Sequence, residues 1–182
     1  MPNWDESQML DGLRRLDARA IGVIYDRYSA DVYRYARYRL DDDHVAEDIA
    51  SDVFVQLLEA LQNGHGPQSN VKAWLLSTAA HIVTDHLRRA YRRPTTAIPE
   101  DLADLAGTRI DEFDSRERSR DFQRAYARLT DEQQHVLALR FGQGYSLEET
   151  AAVLQKKINA VKALQFRALA ALQRNIGEAR SE

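Results

Sequence analysis

Residues 146–169, SLEETAAVLQKKINAVKALQFRAL, decide how the rest of the chain is read. Ser146 followed by Glu149 is a capping-box pattern that opens a helix. On that helix Leu147, Ala151 and Leu154 form one stripe that can be buried. A second helix follows over about 158 to 172, where Val161, Leu164, Ala168, Ala171 and Leu172 fall within about 100° of one another. Its opposite side carries Asn159, Lys162, Ala163, Phe166 and Arg167. About three residues join the two helices, the spacing of a helix-turn-helix, whose second helix enters the DNA major groove.

Between 155 and 174 there are five bases (Lys156, Lys157, Lys162, Arg167 and Arg174) and no acid. The whole chain has a net charge of −3, so this excess is local. Each phosphate contact such bases make would release counterions and add salt-dependent affinity. Small Ala163 permits close approach, and outward Phe166 could touch a thymine methyl. A solvated basic face on an ordinary amphipathic helix explains the same pattern, so the remainder of the chain has to discriminate.

The 182 residues suffice for one domain or two small ones, and 44% are hydrophobic. There are no cysteines, which excludes disulfide and thiol chemistry and fits a reducing cytoplasm. No apolar run approaches bilayer length, and MPNWDESQ has no signal-peptide character, so no membrane insertion is expected. Eight glycines and four prolines are sparse, and apolar residues recur at helical spacing. The chain therefore reads as all-α, built from two small helical domains. Asp17 is expected to cap ARAIGVIYDRY, and Ser29 to cap a separate helix, ADVYRYARYRL. Asp41, Asp42 and Asp43 precede a helix over about 44 to 62. NGHGPQ, 63 to 68, reads as a loop, and Asn70 as the cap of a helix to about 92. Pro94 and Pro99 then break the pattern, and residues 94–114 hold six acids against one base, Arg109. That stretch reads as an acidic linker. A helix resumes near 115, Thr130 and Gln133 form another capping box, and GQGYS, 142 to 146, is a turn. The expected division is a first domain over 1–93, a linker over 94–114 and a second domain over 115–182.

In the helix from 44 to 62, Ile49, Val53, Phe54, Leu57, Leu58 and Leu61 share one broad face. Asp48, Ser51, Asp52, Gln56 and Glu59 share the other, with Val55 among them. Residues 41–59 contain seven acids and no lysine or arginine. An acidic stripe around an apolar residue suits docking to a basic helix of a partner. A solvated face with one stray valine is the plainer alternative. The helix from 70 to 92 ends in RRAYRR, four arginines around Tyr91. Arginine beside aromatic rings is the chemistry of single-stranded DNA binding, although arginines also complement a helix C-terminus.

Three segments carry a family likeness. AEDIASDVFVQLLEAL resembles the region-two signature helix of extracytoplasmic-function (ECF) sigma factors, with Glu47, Asp48, Asp52, Val53 and Phe54 in matching places. VKAWLLSTAAHIVTDHLRR resembles that family's promoter-melting, minus-ten-reading helix. LTDEQQHVLALRFGQGYSLEETAAVLQKKINAVKALQFRALAAL resembles region four, the reader of the minus-thirty-five element. The resemblance implies a transcription initiation factor that directs core RNA polymerase to promoters. Its implied polymerase-binding residues are Asp48, Asp52, Val55 and Gln56, docked on the clamp coiled coil of the largest subunit. Minus-ten contacts would come from Asn63, Asn70, Trp74, His81, Asp85, Arg88, Arg89 and Arg92. Minus-thirty-five contacts would come from Lys156, Lys157, Asn159, Lys162, Ala163, Phe166 and Arg167. The family also implies promoter DNA, the polymerase flap region and an anti-sigma factor as partners, with no cofactor. Gln155 stands where the family usually has glycine, Asn159 where it has a small residue, Leu164 where it often has arginine, and His81 where an asparagine is usual.

An enzyme is not expected. His44, His65, His81, His86 and His135 include no i, i+4 metal pair; His81 and His86 would lie about 140° apart on a helix. A polymerase-independent helix-turn-helix regulator would account for the second domain but would leave the acidic stripe unused. A pure adaptor would need neither cluster of bases.

Overall fold

The structure, a computed structural model, describes residues 4–40, 42–92 and 121–179, and among these it is helical without strands. The segment read as an acidic linker, the helix start near 115, Asp41 and Arg93 lie outside the described residues.

Helix α1 (Glu6–Arg14) is one that the periodicity did not announce. Asp5 caps it in a full capping box with Gln8, and Met9, Leu10 and Leu13 are buried. Gly12 lets it close on the next helix, since a Cβ there would sit 2.3 Å from the Ala20 Cβ. Helix α2 (Ala18–Leu40) begins as expected, with the Asp17 carboxylate accepting from the Arg19 N–H at 2.9 Å. It does not restart at Ser29. One unbroken 23-residue helix passes through that position. Its buried positions, Ala20, Ile24, Tyr28, Val32, Tyr35 and Arg39, keep helical phase throughout, with neither glycine nor proline between Gly22 and Leu40 to stop it.

Helix α3 (Asp43–Gln62) is capped by Asp42, whose side chain accepts from Val45 N–H at 3.0 Å. Helix α4 (Val71–Arg92) starts at Asn70, whose side chain accepts from Ala73 N–H at 2.8 Å. The Glu6 carboxylate takes a second free donor there, Val71 N–H, at 2.6 Å, so α1 fastens α4. Helices α1 to α4 close around Ile24, Val32, Val53, Leu57, Leu75, Leu76 and Val83. Each fully buried side chain of this kind contributes about 1.5–3 kcal/mol.

The rear unit comprises α5 (121–127), α6 (Asp131–Leu137), a π-helical turn (Ala138–Gly142), α7 (Leu147–Leu154) and α8 (Ile158–Ala179). Both expected capping boxes form, Thr130 with Gln133 and Ser146 with Glu149. The Gln134 amide, 4% exposed, donates to the carbonyls of Tyr126 and Leu129 at 3.1 Å each and so ties α5 to α6. Val161, Leu164, Ala168 and Ala171 of α8 bury against Tyr126, Val136, Leu137 and Ala151. Leu164 is thus core, and an arginine there would not face outward with Lys162 and Arg167. Ala138, Leu139, Tyr145 and Val153 join the front cluster instead, so the two units share one apolar seam.

The α7–α8 turn closes without glycine because Gln155 adopts φ 52°, ψ 41°. Left-handed backbone costs a non-glycine residue about 1–2 kcal/mol. Glycine would remove that cost and add roughly 0.5–1 kcal/mol of unfolded-chain freedom. Gln155→Gly is therefore expected to raise Tm by about 1–4 °C in calorimetry. An unchanged or lower Tm would mean that the turn exacts no such strain. Asn159 lies within the first turn of α8 and needs no special backbone.

Candidate nucleic-acid and polymerase interfaces

Helix α3 carries one surface. Asp48, Asp52, Val55 and Gln56 are all exposed, while Ile49, Val53, Phe54 and Leu57 face inward. Val55 is 51% exposed, and beside it stand two residues the sequence reading left out, Leu58 at 40% and Tyr25 of α2 at 51%. The Tyr25 ring meets Phe54 edge-on at 4.8 Å. Tyr25, Tyr33, Glu47, Ser51 and Phe54 line a groove of about 370 Å³ between α2 and α3. The surface is therefore an apolar strip edged by carboxylates, suited to a helix that is apolar along its centre and basic at its margins. The signal for Tyr25 was present in the sequence: in the phase set by Ile24 and Tyr28, it points outward.

Helix α4 carries the second surface. Trp74, His81, Asp85, Arg88 and Arg92 recur at helical spacing within about 60° of one another, and Arg89 lies beside them. The face is long, since 18 residues of helix rise about 27 Å. Trp74 is half-buried against the front cluster, and His81, Asp85, Arg88 and Arg89 are exposed. Asn63 and Asn70 are in the preceding loop region rather than on this face. The Asn63 amide donates to the Glu59 carbonyl at 2.8 Å, and Asn70 is committed to its cap. Arg88 reaches two carboxylates, Asp131 of α6 at 3.0 Å and Asp85 at 3.9 Å. Arg39, His81, Asp85, Arg88, His135 and Lys156 are among the residues lining a cleft of about 560 Å³ between α4 and the rear unit.

Helix α8 carries the third. Lys157, Asn159, Lys162, Ala163, Phe166 and Arg167 are all exposed, and Phe166 projects with 75% of its surface free. Lys156, in the turn, pairs with Glu132 at 3.0 Å. Arg140 donates through Nε to the Gln165 side chain at 2.8 Å, which fixes the back of α8 to the π-helical turn.

Burial shapes the titratable groups at the seam. Burial and the nearby Arg39 charge push the His135 imidazole down to about 3, and His81 adds to the shift. Burial raises the Tyr35 and Tyr126 phenols, so both remain neutral. Tyr126 uses its O–H to donate to the Gln134 carbonyl at 2.6 Å. The described residues contain no cluster of histidine and carboxylate able to hold a metal ion, and no helix long and apolar enough to cross a membrane.

An acidic helix, a helix of arginines and aromatic residues, and an outward-facing helix-turn-helix lie on one small all-α chain, the pattern of a promoter-recognition factor. Comparison with known proteins agrees. The model of Sigma-70 region 2 matches residues 24–93, and that of Sigma-70, region 4 matches residues 125–174. The chain is 33% identical to the ECF RNA polymerase sigma factor BldN of Streptomyces coelicolor, over 93% of this chain and 66% of that protein. It is 31% identical to the ECF RNA polymerase sigma factor SigX of Bacillus subtilis, over 88% of this chain and 85% of that one. The solved structure of CnrH in complex with the cytosolic domain of CnrY has the same fold, with a TM-score of 0.65 at 21% identity over 95% of this chain and 97% of that one. The chain belongs to the extracytoplasmic-function sigma factors, non-enzymatic factors of transcription initiation.

Proposed function

We propose that this chain binds core RNA polymerase in the cytoplasm through α3 and carries it to promoters that α4 and α8 read. Asp48, Asp52, Val55 and Gln56 dock on the clamp coiled coil of the largest subunit, with Tyr25 and Leu58 extending the apolar strip. Trp74, His81, Asp85, Arg88, Arg89 and Arg92 hold the unpaired minus-ten strand, helped by Asn63 and Asn70 from the loop. Guanidinium groups track phosphates while aromatic surfaces receive bases, and binding of an extruded base offsets its unstacking. Lys156, Lys157, Asn159, Lys162, Ala163, Phe166 and Arg167 read the minus-thirty-five duplex. Residues 1–93 and 115–182 act as the two functional domains, joined by residues 94–114. The flap region of polymerase and an anti-sigma factor are further partners; BldN and CnrH have each been solved with one other protein, RsbN and the cytosolic domain of CnrY.

The observation that carries this reading is the exposure of the α3 ridge and of the basic α8 face on opposite units of one chain. Run-off transcription with core polymerase and a randomised promoter library tests it directly. Enrichment of a two-element promoter supports the proposal, whereas failure to direct initiation refutes it. The Lys162→Ala variant is expected to transcribe less and to reduce the salt slope of promoter binding by about one. An unchanged slope would set Lys162 apart from phosphate.

A further inference from the structure

We infer that the chain associates head to tail with a second copy of itself, the outer face of α8 on one molecule lying on the α3 ridge of the next. The contact requires neither polymerase nor DNA and follows from the relief and charge of the two surfaces. Within one chain both faces are exposed, so their pairing is with another copy. Where α3 docks polymerase as proposed, the enzyme and a second copy compete for it.

The α3 ridge calls for a helix that is apolar along its centre with bases beside it, and α8 is such a helix. At 100° per residue, Ile158, Lys162, Phe166 and Leu169 fall within about 80° of one another. Ile158, Phe166 and Leu169 are all left exposed. Neither Ile158 nor Leu169 belongs to the surface proposed to read DNA, so an apolar strip remains to be covered. Arg167 and Arg174, also exposed, run along one edge of it. On α3, Val55 and Leu58 are likewise exposed, and Asp48, Asp52 and Glu59 fall within about 40° of one another along one edge.

Both rows of charge are open. Among the described residues, no lysine or arginine pairs with Asp48, Asp52 or Glu59, and no carboxylate pairs with Lys162, Arg167 or Arg174. Acid edge against base edge aligns the two helices, and the apolar strips then meet between them. The groove of about 370 Å³ between α2 and α3 has Tyr25 and Phe54 on its walls. Phe166, 75% exposed, is the side chain of α8 that can enter it, where edge-on or offset contact with those rings adds to the area buried.

Sedimentation velocity of the full chain alone tests this over roughly 1–200 μM. One helix laid in a groove makes a small, transient interface, so the parent should pass from monomer to dimer or longer assembly across that range. Raising salt from about 50 to about 500 mM should weaken association about tenfold. Asp52→Arg and Lys162→Glu should each weaken it about tenfold, because each sets like charges face to face. The α8 face is intact in Asp52→Arg and the α3 face in Lys162→Glu. An equimolar mixture of the two therefore regains one native contact and should associate again, which also shows that both variants are folded. Phe166→Ala should weaken association while leaving its salt dependence in place. A parent that stays monomeric throughout, association that both charge variants leave unchanged, or a mixture no more associated than its components would overturn the inference. Neither polymerase nor DNA takes part, so such a result leaves the proposed function standing, and a failure of run-off transcription leaves the contact standing.

Discussion

Asp52→Arg is expected to lower affinity for core RNA polymerase by about a hundredfold, or ~2.7 kcal/mol. Asp52 is exposed on the outer side of α3, one turn from Val55 and Gln56. If the ridge meets a basic coiled coil, a cation at its centre sets like charges face to face, which costs several kcal/mol at a specific interface. Removal of attraction alone, as in Asp52→Asn, should cost less. Stability should hold to within about 0.5 kcal/mol, because the site is on the surface and arginine is a good helix former. Competition binding to purified core enzyme, paired with thermal unfolding, measures both quantities. Equal affinity for parent and variant would remove α3 from the docking surface.

Acidification from pH 7.5 to 5.5 is expected to lower the stability of the fold by ~1.4 kcal/mol, read by chemical denaturation at the two pH values. His135 meets the Tyr35 ring edge-on across the seam at 5.3 Å, so its burial depends on the packing of α6 on α2. Unfolded, the imidazole titrates near the ordinary 6.5; folded, it is held down to about 3. The unfolded chain therefore binds more protons throughout that window. Stability keeps its full value above about pH 6.5 and weakens by ~1.4 kcal/mol per unit as the pH falls toward 3. Several other charges face the same cleft: Arg39 on α2, His81, Asp85 and Arg88 on α4, Asp131 and Glu132 on α6, and Lys156 beyond α7. His135→Phe keeps an aromatic edge beside Tyr35 and should flatten the response. A response of the same size in this variant would remove His135 as its cause.

The helical class and both helix-turn-helix elements were legible because periodicity and capping chemistry agreed, as at Ser146–Glu149 and along Val161, Leu164 and Ala168. Helix α1 escaped because nine residues are too few for a periodic signal, although its Asp5–Gln8 capping box stood in the sequence. The expected break at Ser29 failed because a cap-forming residue also tolerates a helix interior, and the phase from Ile24 through Tyr28 to Val32 outweighed it. Exposure of Asp48, Asp52, Lys162 and Phe166 followed from helix geometry alone. The seam did not, because Leu139, Tyr145 and Val153 announce burial but not the surface that buries them. Nothing in the pattern of α2 marks Arg39 as enclosed; only the packing of α6 does so.

One contrast bears on the first encounter. The carboxylate ridge of α3 and the outer side of α8 stand clear of the rest of the molecule, whereas part of α4 lies under α7. A partner that meets the clear surfaces finds them already formed, so charge can hasten that encounter without any rearrangement of the fold.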